Sequence, residues 1–196
     1  MDRVYLAGID EVPKRLTLNE ESELRLTFVV LPGVSVDIPF EINIGKSGVN
    51  LEIYGVYLCP HSEKVHFNIT VRHLIGGARS SQNFRGVVGG TGRAEFDGLI
   101  YVAPDAQKTK AYQENHSLLL NEGAVTETRP QLEIYADDVE CSHGATTGFL
   151  NPDEMFYLRS RGIPEKEARR MQMISFVTPV ISHLPDEIKE RIISRL

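Results

Sequence analysis

The chain has 196 residues, with 21 Lys and Arg against 27 Asp and Glu, a formal net charge of −6 at pH 7. Hydrophobic content of 41% and charged content of 24% lie near the globular average, which excludes wholesale disorder and allows one domain with its own core. The acidic balance, with no Lys/Arg cluster interleaved with aromatics, excludes an extended nucleic-acid surface, because phosphate binding needs a basic patch.

The longest apolar stretches, such as Phe28 to Pro32, fall far short of the ~20 residues of a spanning helix, so no membrane partner is expected. Met1-Asp2-Arg3-Val4-Tyr5-Leu6 lacks the apolar core of a signal peptide, and a cytoplasmic setting is the expectation. Two cysteines, Cys59 and Cys141, are too few for a disulfide framework and are expected to be reduced there.

Extended segments are predicted at Leu24–Val30, Val65–Val71, Glu95–Val102, His116–Leu120, Thr126–Thr128 and Leu132–Tyr135. Val65, Phe67, Ile69 and Val71 fall on one face, the period of a half-buried strand. Turn signals separate the segments at Pro32-Gly33, Gly76-Gly77, Gly89-Gly90-Thr91-Gly92 and Pro104-Asp105. Asp97-Gly98 is the one clear hairpin dipeptide, and it lies inside a strand-like run. Many short strands without hairpin turns, and without a clean fixed repeat, leave both a sandwich and a β-helix open.

From Asn151 the pattern becomes helical. Asn151-Pro152-Asp153-Glu154 supplies a cap, a first-turn proline and acidic residues; Gly162 ends that helix, and Pro164 and Pro185-Asp186 open two more. The chain is thus predicted to comprise a β body over residues 1–150 and a helical subdomain over 151–196. The helices are expected to cap the open end of the body, with Met155, Leu158, Met171 and Ile174 as the buried face. Phe156, Tyr157, Phe176, Val177, Val180 and Ile181 then remain as surplus apolar surface.

The stretch from Phe96 to Phe176 resembles the core of the SufB/SufD family of iron–sulfur cluster assembly proteins. The resemblance is carried by Phe96-Asp97-Gly98-Leu99-Ile100, by Ala111-Tyr112-Gln113 running into His116-Ser117-Leu118-Leu119-Leu120, by Pro130 through Thr146, and by Phe156 through Ile163. It implies a right-handed parallel β-helix followed by a C-terminal helical domain. It implies a non-catalytic scaffold or partner subunit, with a second SufB/SufD-type subunit paired beside it as a homodimer or heterodimer. An ABC-type ATPase would dock on the helices, at Phe156, Tyr157, Leu158, Arg159, Arg161 and Phe176. Aromatics beside arginines have the composition of interface hot spots. No nucleotide loop is expected on this chain: Gly86, Gly89, Gly90 and Gly92 lack a following lysine and precede a strand. Asn115-His116 stands where SufB carries a candidate cluster cysteine, and Gly144 where SufB has glutamate, so the chain resembles SufD more than SufB.

Cys141 and His143 are the sharpest candidate ligands for iron or a transient cluster at a subunit interface. Cys-x-His on a strand points both side chains to one face, and thiolate and imidazole both suit iron. In the resembling subunit the equivalent histidine faces the scaffold. His116 is a third candidate. The bland alternatives are a buried small hydrophobe for Cys141 and packing for the histidines. A stand-alone metal-binding module is one alternative reading. A carbohydrate-active β-helix enzyme using Asp97, Asp137 and Asp138 is another. Between Ala94 and His143 ten acidic residues oppose three basic ones, which would concentrate cations or simply form a solvated face.

Overall fold

The computed structural model describes residues 1–196. Eleven strands precede three helices: β1 Asp2–Leu6, β2 Arg15–Leu18, β3 Glu23–Val30, β4 Val36–Ile44, β5 Asn50–Cys59, β6 Lys64–His73, β7 Arg79–Val88, β8 Arg93–Val102, β9 Lys110–Leu119, β10 Val125–Ile134, β11 Glu140–Phe149, then α1 Pro152–Ser160, α2 Glu165–Ile181 and α3 Asp186–Ile193.

Every strand pair is parallel. The odd strands form one sheet in the order β1-β3-β5-β7-β9-β11, and the even strands the other, β10-β8-β6-β4-β2. Parallel neighbours cannot be joined by a hairpin, so each strand turns across to the opposite sheet and returns one coil later. The result is the expected parallel β-solenoid, of about five coils. Its coil length drifts. Leu16 pairs Ile42, 26 residues on, whereas Ile100 pairs Leu132, 32 residues on. A repeat that stretches this way leaves no fixed period to detect.

Alternation fills the interior. Leu51, Ile53, Tyr57 and Cys59 of β5 face Val65, Phe67, Ile69 and Val71 of β6 in one buried cluster of apolar side chains. Phe28, Phe67, Phe84 and Phe96 are fully buried, with Phe67–Phe84 and Phe84–Phe96 ring centroids at 5.1 and 4.8 Å. The prolines sit where a parallel ladder tolerates them. Pro130 lies on the edge strand β10, and Pro39 lies in a part of β4 that β2 does not reach. Thr126–Thr128 and Leu132–Tyr135, expected as two segments, fall on this one proline-containing strand, with Tyr135 just past its end. Asp97-Gly98 makes no turn. Gly98 faces inward, where a Cβ would overlap the Gln113 amide.

The helices begin as expected. Asn151 Oδ1 accepts from the Asp153 and Glu154 amides at 2.9 and 3.3 Å, and Gly162 leaves α1 with φ +85°. Their position is different. They do not cap the solenoid's end. Met173, Val177, Val180, Ile181, Leu184 and Ile192 pack against Val29, Val56, Leu58, Val87 and Leu118, which point outward from β3, β5, β7 and β9. Alternation fails at the ends of β3, β5 and β7, where runs such as Val56-Tyr57-Leu58-Cys59 are buried on both faces. Those runs create the apolar flank that α2 covers. Met171, expected in the buried face, is exposed; Val177, Val180 and Ile181, expected as surplus, are buried.

Polar contacts pin the same flank. Arg85 Nη1 donates to the Phe176 carbonyl at 2.9 Å and its guanidinium lies 5.4 Å from the Phe176 ring centroid. His183 Nε2 bonds Thr27 Oγ1 at 2.8 Å and stacks on Tyr54 at 4.4 Å.

Candidate functional site

The solenoid stays open at its last coil. β11 pairs only with β9, and β10 only with β8. Unlike the buried strands before them, both present exposed side chains on both faces. Phe149 is 58% exposed at the mouth.

Register fixes which residues face this mouth. Cys141 continues the inward row Leu51, Ser80, Ala111. His143 continues the inward row Ile53, Gln82, Gln113. Both therefore face the inside of the last coil, two residues apart on one face, with His143 exposed and Cys141 half-buried. Burial raises the Cys141 thiol above its ordinary pKa, a backbone hydrogen bond at Ala111 opposing it, so the thiol keeps its proton at neutral pH.

His116 belongs to a different surface. It pairs Thr146 in register and points outward, with Nδ1 2.6 Å from Thr146 Oγ1 and Nε2 3.5 Å from Glu114. The sheet separates it from Cys141 and His143. No group of three His, Cys, Asp or Glu residues is arranged to hold a metal ion. Cys141 and His143 thus share the inward face of the last coil with no third residue of ligand type beside them.

The acidic candidates are not assembled either. Asp97 lies mid-β8 on the outer face. The guanidinium of Arg129 holds its carboxyl below the ordinary range, and His66 Nε2 lies 2.9 Å away. Asp138 sits in the turn before β11, where the Gln107 side chain bonds its amide at 2.9 Å.

The interior beneath the mouth is polar. Gln82, Gln113, Asn115 and Ser117 are buried in coils whose earlier counterparts are apolar. Gln113 Nε2 donates to Gln82 Oε1 at 3.1 Å. Tyr57 Oη meets Asn115 Oδ1 at 3.2 Å and Ser117 Oγ at 3.0 Å, and burial pushes its pKa up to about 12. Asn115 Nδ2 reaches Thr128 at 2.9 Å. Sequence reasoning missed this ladder. Its signal was alternation itself: Gln113, Asn115 and Ser117 occupy the inward positions of an otherwise ordinary strand.

The helical candidates divide. Phe156 (76% exposed), Tyr157 (57% exposed), Arg159 and Arg161 are exposed on α1 and its C-terminus, with Arg159 Nη1 3.6 Å from Glu165 Oε2 and the Arg161 guanidinium 5.2 Å from the Tyr157 ring centroid. Leu158 is half-buried, and Phe176 is held beneath Arg85.

The family model of the SUF system FeS cluster assembly SufBD core domain matches residues 9–176. The chain belongs to the SufBD core domain family. It is 43% identical over 127 residues to the iron–sulfur cluster assembly protein SufD of Escherichia coli, covering 64% of this chain and 30% of that one. To SufD of Bacillus subtilis it is 37% identical over 110 residues, 56% of this chain and 25% of the relative. A SufBD family protein of Mycobacterium leprae matches 188 residues at 27% identity, 91% of this chain and 48% of its own. The chain therefore spans a quarter to a half of the length of these relatives. No helix is long and apolar enough to cross a membrane.

Proposed function

We propose that this chain acts as a non-catalytic subunit of the SUF assembly complex. It pairs through its open last coil with another SufB/SufD-type subunit and docks an ABC-type ATPase on α1. The carrying observation is the last coil: two unpaired parallel edges and exposed inward side chains, Cys141 and His143 among those facing in. Unpaired edges are templates for another chain's strands. Cys141 and His143 supply a thiol and an imidazole, and a second subunit supplies the remaining ligands. Iron or a nascent cluster is the cargo of this site rather than a resident cofactor. The α1 surface of Phe156, Tyr157, Arg159 and Arg161 supports the ATPase reading, since buried aromatics and arginines dominate interface energetics.

The test is co-expression with a SufB-type subunit, with the mass measured by light scattering. The wild-type chain is expected to run as a one-to-one complex. Phe149→Arg, which places a charge at the mouth, is expected to release the monomer. A wild-type chain that stays monomeric beside a folded partner contradicts the pairing.

A further inference from the structure

The row that ends in His143 carries an unmatched acceptor one coil earlier. Gln113 is 1% exposed, and its Oε1 has no hydrogen-bond partner. Its Nε2 is committed downward to Gln82 in the preceding coil. With Nε2 so committed, Oε1 is the atom left for the following coil, where the residue in register is His143. Leaving a buried carbonyl unmatched is costly, so the position favours a donor above it. His143 is the side chain in register there that can supply an N–H.

We propose that Gln113 is the positioning residue for His143. Its Oε1 accepts one ring N–H and leaves the lone pair of the other nitrogen aimed out of the coil beside the Cys141 thiol. Metal-ligating histidines ordinarily have their second nitrogen held this way, which fixes tautomer and ring orientation. Gln82 acts one step further back by holding the Gln113 amide. Gly98 supplies the room, because any side chain there would collide with that amide. The inference rests on the reading of Cys141 and His143 as a half-site, but its test does not depend on a metal.

Long-range proton–nitrogen correlation spectra of the metal-free chain report the His143 tautomer, with the ring assigned through His143→Asn. The wild type is expected to show one dominant tautomer, with widely separated nitrogen shifts. Gln113→Met is expected to give a mixture with averaged shifts, and Gln113→Glu, which keeps an acceptor, to restore one form. Gln82→Met leaves Gln113 in place and moves the spectrum toward the mixture, so the test survives poor folding of the Gln113 variants. A wild-type mixture, or a His143 spectrum unchanged in folded Gln113→Met and Gln82→Met, overturns the proposal. Titration with Zn²⁺ alone is expected to show about tenfold or more weaker binding in Gln113→Met. If the wild type binds no Zn²⁺ while its tautomer responds to Gln113, the half-site reading fails and the positioning role stands.

Discussion

Gly86 leaves its place in the core to the ring of Tyr57. The two are register partners on β7 and β5, and a Cβ at Gly86 would overlap the tyrosine ring. The same ring turns its hydroxyl toward Asn115 and Ser117, so one small–large pair sets where the apolar interior gives way to the polar one.

Gly86→Ala is therefore expected to destabilise the fold by about 1–3 kcal/mol, the ordinary cost of overpacking. Denaturant unfolding measures it. Gly144→Ala, at a position with nothing within 4 Å of a new Cβ, is the control and is expected to change little.

The flank beneath α2 makes the helices part of the core. Ile181→Ala is expected to cost about 2–5 kcal/mol, because Ile181 is 2% exposed among Val29, Val56, Leu58 and Val87. Met171→Ala, on the exposed side of the same helix, is expected to cost far less. Equal losses would place the buried face elsewhere.

Much of this fold was legible in the sequence. Val65 to Val71 alternates and is a strand; Asn151-Pro152 starts a helix, and Gly162 ends it. The solenoid itself was not derivable from periodicity, because its coils lengthen from 26 to 32 residues between Leu16↔Ile42 and Ile100↔Leu132. The resemblance of residues 96–176 supplied what periodicity could not. The seat of the helices was misjudged for a physical reason. The doubled apolar runs at Val56–Cys59 and Leu118–Leu120 announce a strand end buried on both faces, whereas α2 read in isolation placed Met171 inward. At the site, Cys141 and His143 share a face as alternation requires. His116 shares their ligand chemistry but not their direction, because its register with Arg85 and Thr146 turns it outward.

Acid stability should depend on His73. Its ring is fully buried, bonded to Ser80 Oγ at 2.8 Å through Nε2, and its Nδ1 has no partner. Burial pushes its pKa down to about 4, against ~6.5 in the unfolded chain. The unfolded state then binds the proton first as pH falls. The stability held by neutral His73 is fully present above ~6.5 and is lost down to about pH 4, a difference of about 3 kcal/mol at 1.4 kcal/mol per unit. His73→Leu is expected to flatten the stability difference between pH 7 and pH 4 relative to wild type. Parallel pH profiles would place the acid sensitivity on another group.

Metal capture at the mouth should strengthen as pH rises. A metal must displace the proton that burial keeps on Cys141. Zn²⁺ titrations across neutral to alkaline pH are expected to show rising affinity in the wild type and weak, flatter binding in Cys141→Ser. His116→Ala should leave binding unchanged. A loss in His116→Ala equal to that in His143→Ala would contradict the geometry.

A pull-down with an ABC-type ATPase of the SUF system tests the proposed docking on α1 most directly. The tagged full-length chain is compared with the double variant Phe156→Ala, Tyr157→Ala, whose exposed side chains leave the helical core untouched. The wild type is expected to retain the ATPase, and the folded double variant to lose most of it. Failure of the wild type to retain the ATPase, or full retention by the double variant, would contradict the account.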